Sequence, residues 1–347
     1  MTSNIRTLHD LSAAKLVPPD QVGSLVDVVD RYPVALTEAM ASLVDRDRPE
    51  DPIARQFVPT THELDARSHE EPDPIGDDAH SPVRGVVHRH PDRILLKATA
   101  VCPVYCRFCF RKEMIGPQAK REMTAADLKR AAEYVAGQPA IREVIVTGGD
   151  PFVLSSERIS SITQTFSAIP HVRILRWHTR VPLVAPSNVT DAFVDSLASD
   201  RCAIFIAIHA NHAREFTAEG RAAIRRLQKT GASLLGQTVL LQSVNDNVRS
   251  LSELMMTFVE AGVKPYYLHH PDLAKGTGHF RVPLQKGIAL MEELRRSVTG
   301  LALPTYVLDL PGGIFKVPLP AACSFGEDGI IELKDPFGKI HLYRDAI

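Results

Sequence analysis

The stretch Ile94–Met114, ILLKATAVCPVYCRFCFRKEM, reads as a short apolar strand that runs directly into a loop holding Cys102, Cys106 and Cys109. Three of the chain's five cysteines thus fall within eight positions. Downstream, the same rhythm recurs in REVIVTGG (142–149), VRILRWHT (172–179), CAIFIAIH (202–209), ASLLGQTVLL (232–241) and KPYYLHH (264–270), each followed by an amphipathic stretch of helical length. Six strand–helix units of this kind predict an α/β protein with a parallel sheet. Polar residues stand just past nearly every strand: Cys102, Thr147–Pro151, His178 and Arg180, His209, Gln237, and His269–Asp272. Functional groups collected at one strand end favour a partial (β/α)6 TIM-like barrel over an open doubly wound sheet, because barrel strands all point to one rim. Thr124, with Asp127 three residues on, predicts a capped helix start, and Gly137 its end.

Around this core, residues 1–60 carry apolar positions at helical spacing between proline breaks and predict an N-terminal helical segment. Residues 61–93 are rich in Asp, Glu, His and Pro and read as an irregular connector. The barrel is assigned to 94–320, and 321–347 to a short C-terminal extension with a hairpin around DPFGK. At 347 residues, 44% hydrophobic and formal net charge −1, the chain can bury a large core and has no basic footprint for nucleic acid. The N-terminus has no signal-peptide core and no apolar run reaches eighteen residues, so the expectation is a cytoplasmic protein without a membrane span.

In a reducing compartment, clustered thiols bind metal or do chemistry more often than they pair. Isolated Cys202 and Cys323 read as core packing. A structural zinc site wants four ligands, and no fourth cysteine lies nearby, though His88 or His90 could serve; three cysteines instead suit a 4Fe-4S cluster that leaves one iron open for another ligand.

At CPVYCRFC the chain resembles the radical S-adenosylmethionine superfamily, whose C-x3-C-x2-C signature holds such a cluster with S-adenosylmethionine on the open iron. TGGDP (Gly148, Gly149, Asp150) resembles that superfamily's glycine-rich motif near the methionyl amino group. HSPVRGVVHRHPDR, LLGQTVLLQSVNDN, KPYYLHHPDLAKGTGHFR and LPTYVLDLPGGIFKVPL resemble the lysine 2,3-aminomutase family, over about three quarters of the chain from Asp51 to Leu319. Read alone, the last segment is a strand, a Pro-Gly turn and a solvated lysine, and the arginines of HRHPDR are exposed. The resemblance implies more. Lys316 would carry pyridoxal 5'-phosphate, with Arg89 and Arg93 on its phosphate. Arg111 would hold the substrate carboxylate, Asp272 and Asp309 the distant ammonium, and His209 and Gln237 would lie near S-adenosylmethionine.

The implied activity is an isomerase's: interconversion of L-lysine and β-lysine by 5'-deoxyadenosyl-radical hydrogen abstraction and pyridoxal-phosphate-assisted amino migration. Retention of Asp309 favours free L-lysine. His269 and HHPD look closer to the branch acting on the lysine used to modify elongation factor P, which stays an alternative beside another amino acid substrate. Glutamate fits poorly, since its distal group is an anion. The family's C-terminal zinc cysteines are missing, so no zinc is expected. A reducing donor such as flavodoxin or ferredoxin is implied as partner, and the helical N-terminus offers a face for a homo-oligomer. An iron-sulfur sensor without turnover is the reading from another class.

Overall fold

Every apolar run named above forms a strand, and their order in space decides the architecture. The computed structural model describes residues 5–48, 50–65, 67–115, 122–319, 323–325, 329–334 and 339–345. The main sheet contains β1 (Val86–His90), β2 (Arg93–Thr99), β3 (Glu143–Gly148), β4 (Ile174–Thr179), β5 (Ala203–His209), β6 (Ser233–Val239), β7 (Lys264–His269), β8 (Thr305–Asp309) and β9 (Lys316–Leu319), paired strictly in chain order. From β2 to β8 the pairs are parallel. A doubly wound sheet needs a reversal of strand order; here every crossover steps the same way. Right-handed crossovers in one direction put all helices on one face and curl the sheet around the other. The first and last strands do not pair, so the sheet is an open, partial barrel.

Alternation along the strands separates the two faces. Ile94, Leu96, Ala98, Leu175, Trp177 and Leu234 are buried against the helices. Their neighbours Lys97, Arg176, His178, Gln237, Tyr267 and His269 are only partly buried and belong to the opposite, concave face. The helix Ala125–Ala136 shows how the cover is made. Thr124 and Asp127 form the expected capping box, Gly137 closes the end, and Leu128, Ala131 and Val135 enter the core at helical spacing.

Three sequence expectations change. The connector 61–93 is not wholly irregular, because β1 folds back antiparallel on β2. The parallel series has seven strands rather than six, since the segment before the Pro-Gly turn is β8, and β9 returns antiparallel along it. The N-terminal segment is broken into helices of six residues or fewer, among them Leu8–Ala13, Val26–Arg31 and Ala54–Phe57, packed in a cluster of their own around Leu11, Val28, Leu36 and Phe57. In the C-terminal extension β10 (Cys323–Phe325), β11 (Ile330–Lys334) and β12 (Ile340–Arg344) form an antiparallel sheet; the turn expected at DPFGK lies outside the described residues.

Candidate active site

The cysteine loop leaves β2 across the exit of β3. Gly149 N–H donates to Thr99 O at 2.6 Å and Asp150 N–H to Val101 O at 2.9 Å. A Cβ at Gly148 would lie 2.4 Å from Thr99 O, and one at Gly149 2.4 Å from Val101 O, so the crossing tolerates no side chain at either place. The Asp150 carboxylate is used locally: it accepts from Thr179 Oγ1 at 2.8 Å and from the backbone N–H groups of Phe152, Arg180 and Val181.

Glu63 pins the loop from beneath. It takes a forked pair of bonds from Arg107 and a third, at 2.8 Å, from Lys112 Nζ, and all three side chains are buried. Burial alone would raise the Glu63 carboxyl; the two cations beside it hold it below its usual range. Burial pushes the Cys102, Cys106 and Cys109 thiols up, Cys109 to about 11, and each of Cys102 and Cys109 feels a neighbouring cysteine. Three soft sulfur donors on one partly exposed loop fit a cluster, whose irons would take them as thiolates. Among the described residues no three His, Cys, Asp or Glu side chains converge on a single ion. Cluster thiolates each take a different iron, a wider arrangement than a mononuclear site.

Across the concave face, the β8–β9 pairing sets Asp309 opposite Lys316. Lys316 Nζ donates to Asp309 Oδ2 and lies 3.4 Å from His269 Nδ1 and 5.5 Å from the Tyr267 ring centre. Burial and then Lys316 depress the His269 ring, so its 3.4 Å approach to Asp309 is a contact of a neutral imidazole and not an ion pair. The two aspartates differ. Burial would raise Asp309, but the Lys316 ammonium overrides it and keeps the carboxylate ionised. Asp272 makes no ion pair among the described residues; burial and the Asp309 charge raise it to about 7, against weaker pulls from Lys316, Arg111 and Arg89.

Arg111 is buried and gives its Nε–H to Asp77 Oδ2 at 2.8 Å. Asp77, itself fully buried, also faces Arg89 at 3.7 Å and Lys97 at 3.9 Å. Sequence reasoning missed Asp77. It sat among several acidic residues of a connector read as surface, and only the pairing of β1 with β2 carries it inward. Arg89 donates to Ile75 O at 2.6 Å and packs behind the Pro-Gly-Gly turn. A Cβ at Gly313 would meet Ile75 O at 2.0 Å and Arg89 Nη1 at 2.4 Å. Gly313 therefore admits the connector and Arg89 where a side chain could not. Arg93 bonds its neighbour Asp92 at 2.8 Å. His209 and Gln237 stand in register on β5 and β6; His209 Nε2 is 3.1 Å from Asn211 Oδ1 and burial lowers its ring to about 3. Between the connector and the cysteine loop opens a cavity of about 410 Å3, lined by Lys97, Thr99, Arg111, Met123, Gly148 and Gly149 among others.

Residues 96–252 match the radical SAM superfamily. An L-lysine 2,3-aminomutase of Clostridium subterminale is 36% identical over 317 residues, 91% of this chain and 76% of that protein. One of Methanococcus maripaludis is 38% identical over 306 residues, 87% and 70% of the two chains, and one of Escherichia coli K12 is 35% identical over 276 residues, 80% of each. The chain belongs to the lysine 2,3-aminomutase family. It is an isomerase of the radical S-adenosylmethionine type, and that superfamily's cofactors, a 4Fe-4S cluster and S-adenosylmethionine, come with the fold. No helix among the described residues is long and apolar enough to cross a membrane.

Proposed function

We propose that this aminomutase interconverts free L-lysine and β-lysine, with pyridoxal 5'-phosphate as a further cofactor. The observation that carries the reading is the Asp272–Asp309–Lys316 group, near enough to Arg111 that the Asp272 carboxyl and the Arg111 guanidinium act on each other's charge. A diamino acid has a carboxylate at one end and an ammonium at the other. Arg111 offers the first a guanidinium whose Nε is already held by Asp77, which leaves its terminal fork for the substrate. Asp272, a raised carboxyl that makes no ion pair among the described residues, offers the second a place where its charge becomes paired.

Lys316 would carry pyridoxal phosphate, with Arg89 and Arg93 on the phosphate, Arg93 giving up its bond to Asp92. Cys102, Cys106 and Cys109 would ligate the cluster, and Gly148, Gly149, Asp150, His209 and Gln237 would border S-adenosylmethionine. When bound, these groups supply a hydrogen-abstracting radical and a carbonyl carrier for the migrating nitrogen. The protein's own part is placement. His269 Nδ1, 3.4 Å from Lys316 Nζ, borders the amine and helps fix its position. Asp309 keeps that ammonium oriented beforehand and is free for the substrate ammonium afterwards.

The test is anaerobic. Protein reconstituted with iron, sulfide and pyridoxal phosphate, then supplied with S-adenosylmethionine and dithionite, should convert L-lysine to β-lysine, followed by mass spectrometry. Formation of 5'-deoxyadenosine with lysine untouched would refute the substrate and direct the assay to elongation factor P.

A further inference from the structure

Arg180 follows β4, and its guanidinium is buried beside the cysteine loop. Its Nη1–H points at Cys106 Sγ, 3.0 Å away. Its other terminal nitrogen is also held: Nη2 donates to Gln56 Oε1 at 2.6 Å and to Glu215 Oε2 at 2.7 Å, and Cζ lies 4.7 Å from the Phe57 ring centre and 5.4 Å from that of Phe108, while Nε is buried without a partner among the described residues. Gln56 and Glu215 are themselves fully buried and bonded to each other at 3.2 Å, and Asn211 Nδ2 donates to Gln56 Oε1 at 3.1 Å. The backbone of Gln56 also accepts from Arg107 N at 2.8 Å, so one short helix of the N-terminal segment holds both the loop and the arginine that faces its central cysteine.

We propose that Arg180 is the positioning residue of the cluster's central ligand and sets the cluster's reduction potential. The inference rests on the reading of Cys106 as a cluster ligand. A hydrogen bond to a ligating sulfur, delivered by a cation in a dry site, withdraws electron density from the thiolate and stabilises the reduced cluster. That matters here because the cluster must take one electron from an external reductant before it can pass it on. Glu215 neutralises the arginine's charge overall, so the local and directional part of the effect is the N–H···S bond. This separates two substitutions. Arg180→Lys keeps a charge beside Glu215 but cannot reach Gln56, Glu215 and Cys106 together; Arg180→Met removes charge and bond.

The experiment is an EPR-monitored potentiometric titration of the reconstituted holoprotein without S-adenosylmethionine, wild type against Arg180→Lys and Arg180→Met. At the potential that half-reduces the wild-type cluster, the reduced-to-oxidised ratio in Arg180→Lys should fall about tenfold, a midpoint about 59 mV lower for a one-electron couple. Midpoints equal to the wild type in variants that retain the cluster would overturn the proposal. A second measurement needs no variant: wild-type protein carrying guanidino-15N arginine should show a 15N coupling to the reduced cluster in pulsed EPR, and its absence would equally overturn it. If the wild type assembles no cluster, the ligand reading itself fails; a cluster with an unmoved midpoint sinks only the role of Arg180.

Discussion

Asp272→Asn should stabilise the cofactor-free protein more strongly the higher the pH. Burial and the Asp309 charge raise the Asp272 carboxyl from 3.8 to about 7. A raised acid keeps its proton in the fold and loses it in the unfolded chain, so folding is favoured below the unfolded value and is progressively penalised until pH passes the folded value. Linkage with these two values gives a penalty of about 2 kcal/mol near pH 5.5 and about 4 kcal/mol near pH 8.5, at about 1.4 kcal/mol per unit. The asparagine cannot ionise and escapes both. The advantage of Asp272→Asn over wild type should therefore grow by about 2 kcal/mol across that range, read as the separation of urea midpoints at the two pH values. The same variant should bind lysine poorly, because the distal ammonium loses the carboxylate that awaits it. Midpoints that keep a constant separation at both pH values would refute the argument, and would mean that water or a neighbour already satisfies Asp272.

Lys316→Ala should abolish lysine turnover while the iron-sulfur absorption persists; retained turnover would disprove its role. Asp77→Asn should loosen Arg111 and raise KM for L-lysine about 10- to 100-fold, the worth of a hydrogen bond between charged groups, with a smaller change in kcat, measured by steady-state kinetics. Glu63→Gln should strip the buried Arg107 and Lys112 of their countercharge and cost about 3–5 kcal/mol of stability, seen as a lowered urea midpoint.

The sequence by itself determined the parallel strands, the capped helix after Thr124 and the clustered Cys102, Cys106 and Cys109, since strand periodicity, capping and motif spacing are local and survive in one dimension, whereas Lys316, Arg111, Asp272 and Asp309 became candidates only through the family resemblance. Strand order was not local: only the uniform β1-to-β9 pairing separates a partial barrel from a doubly wound sheet. The same limit hid the supporting groups. Asp77 comes from a polar connector, Gln56 and Glu63 from segments far upstream of the residues they hold, and Glu215 from a turn beyond β5. A buried charge needs a partner wherever the chain can supply one, and that choice is made by which segments the folded chain brings together, not by their separation along it.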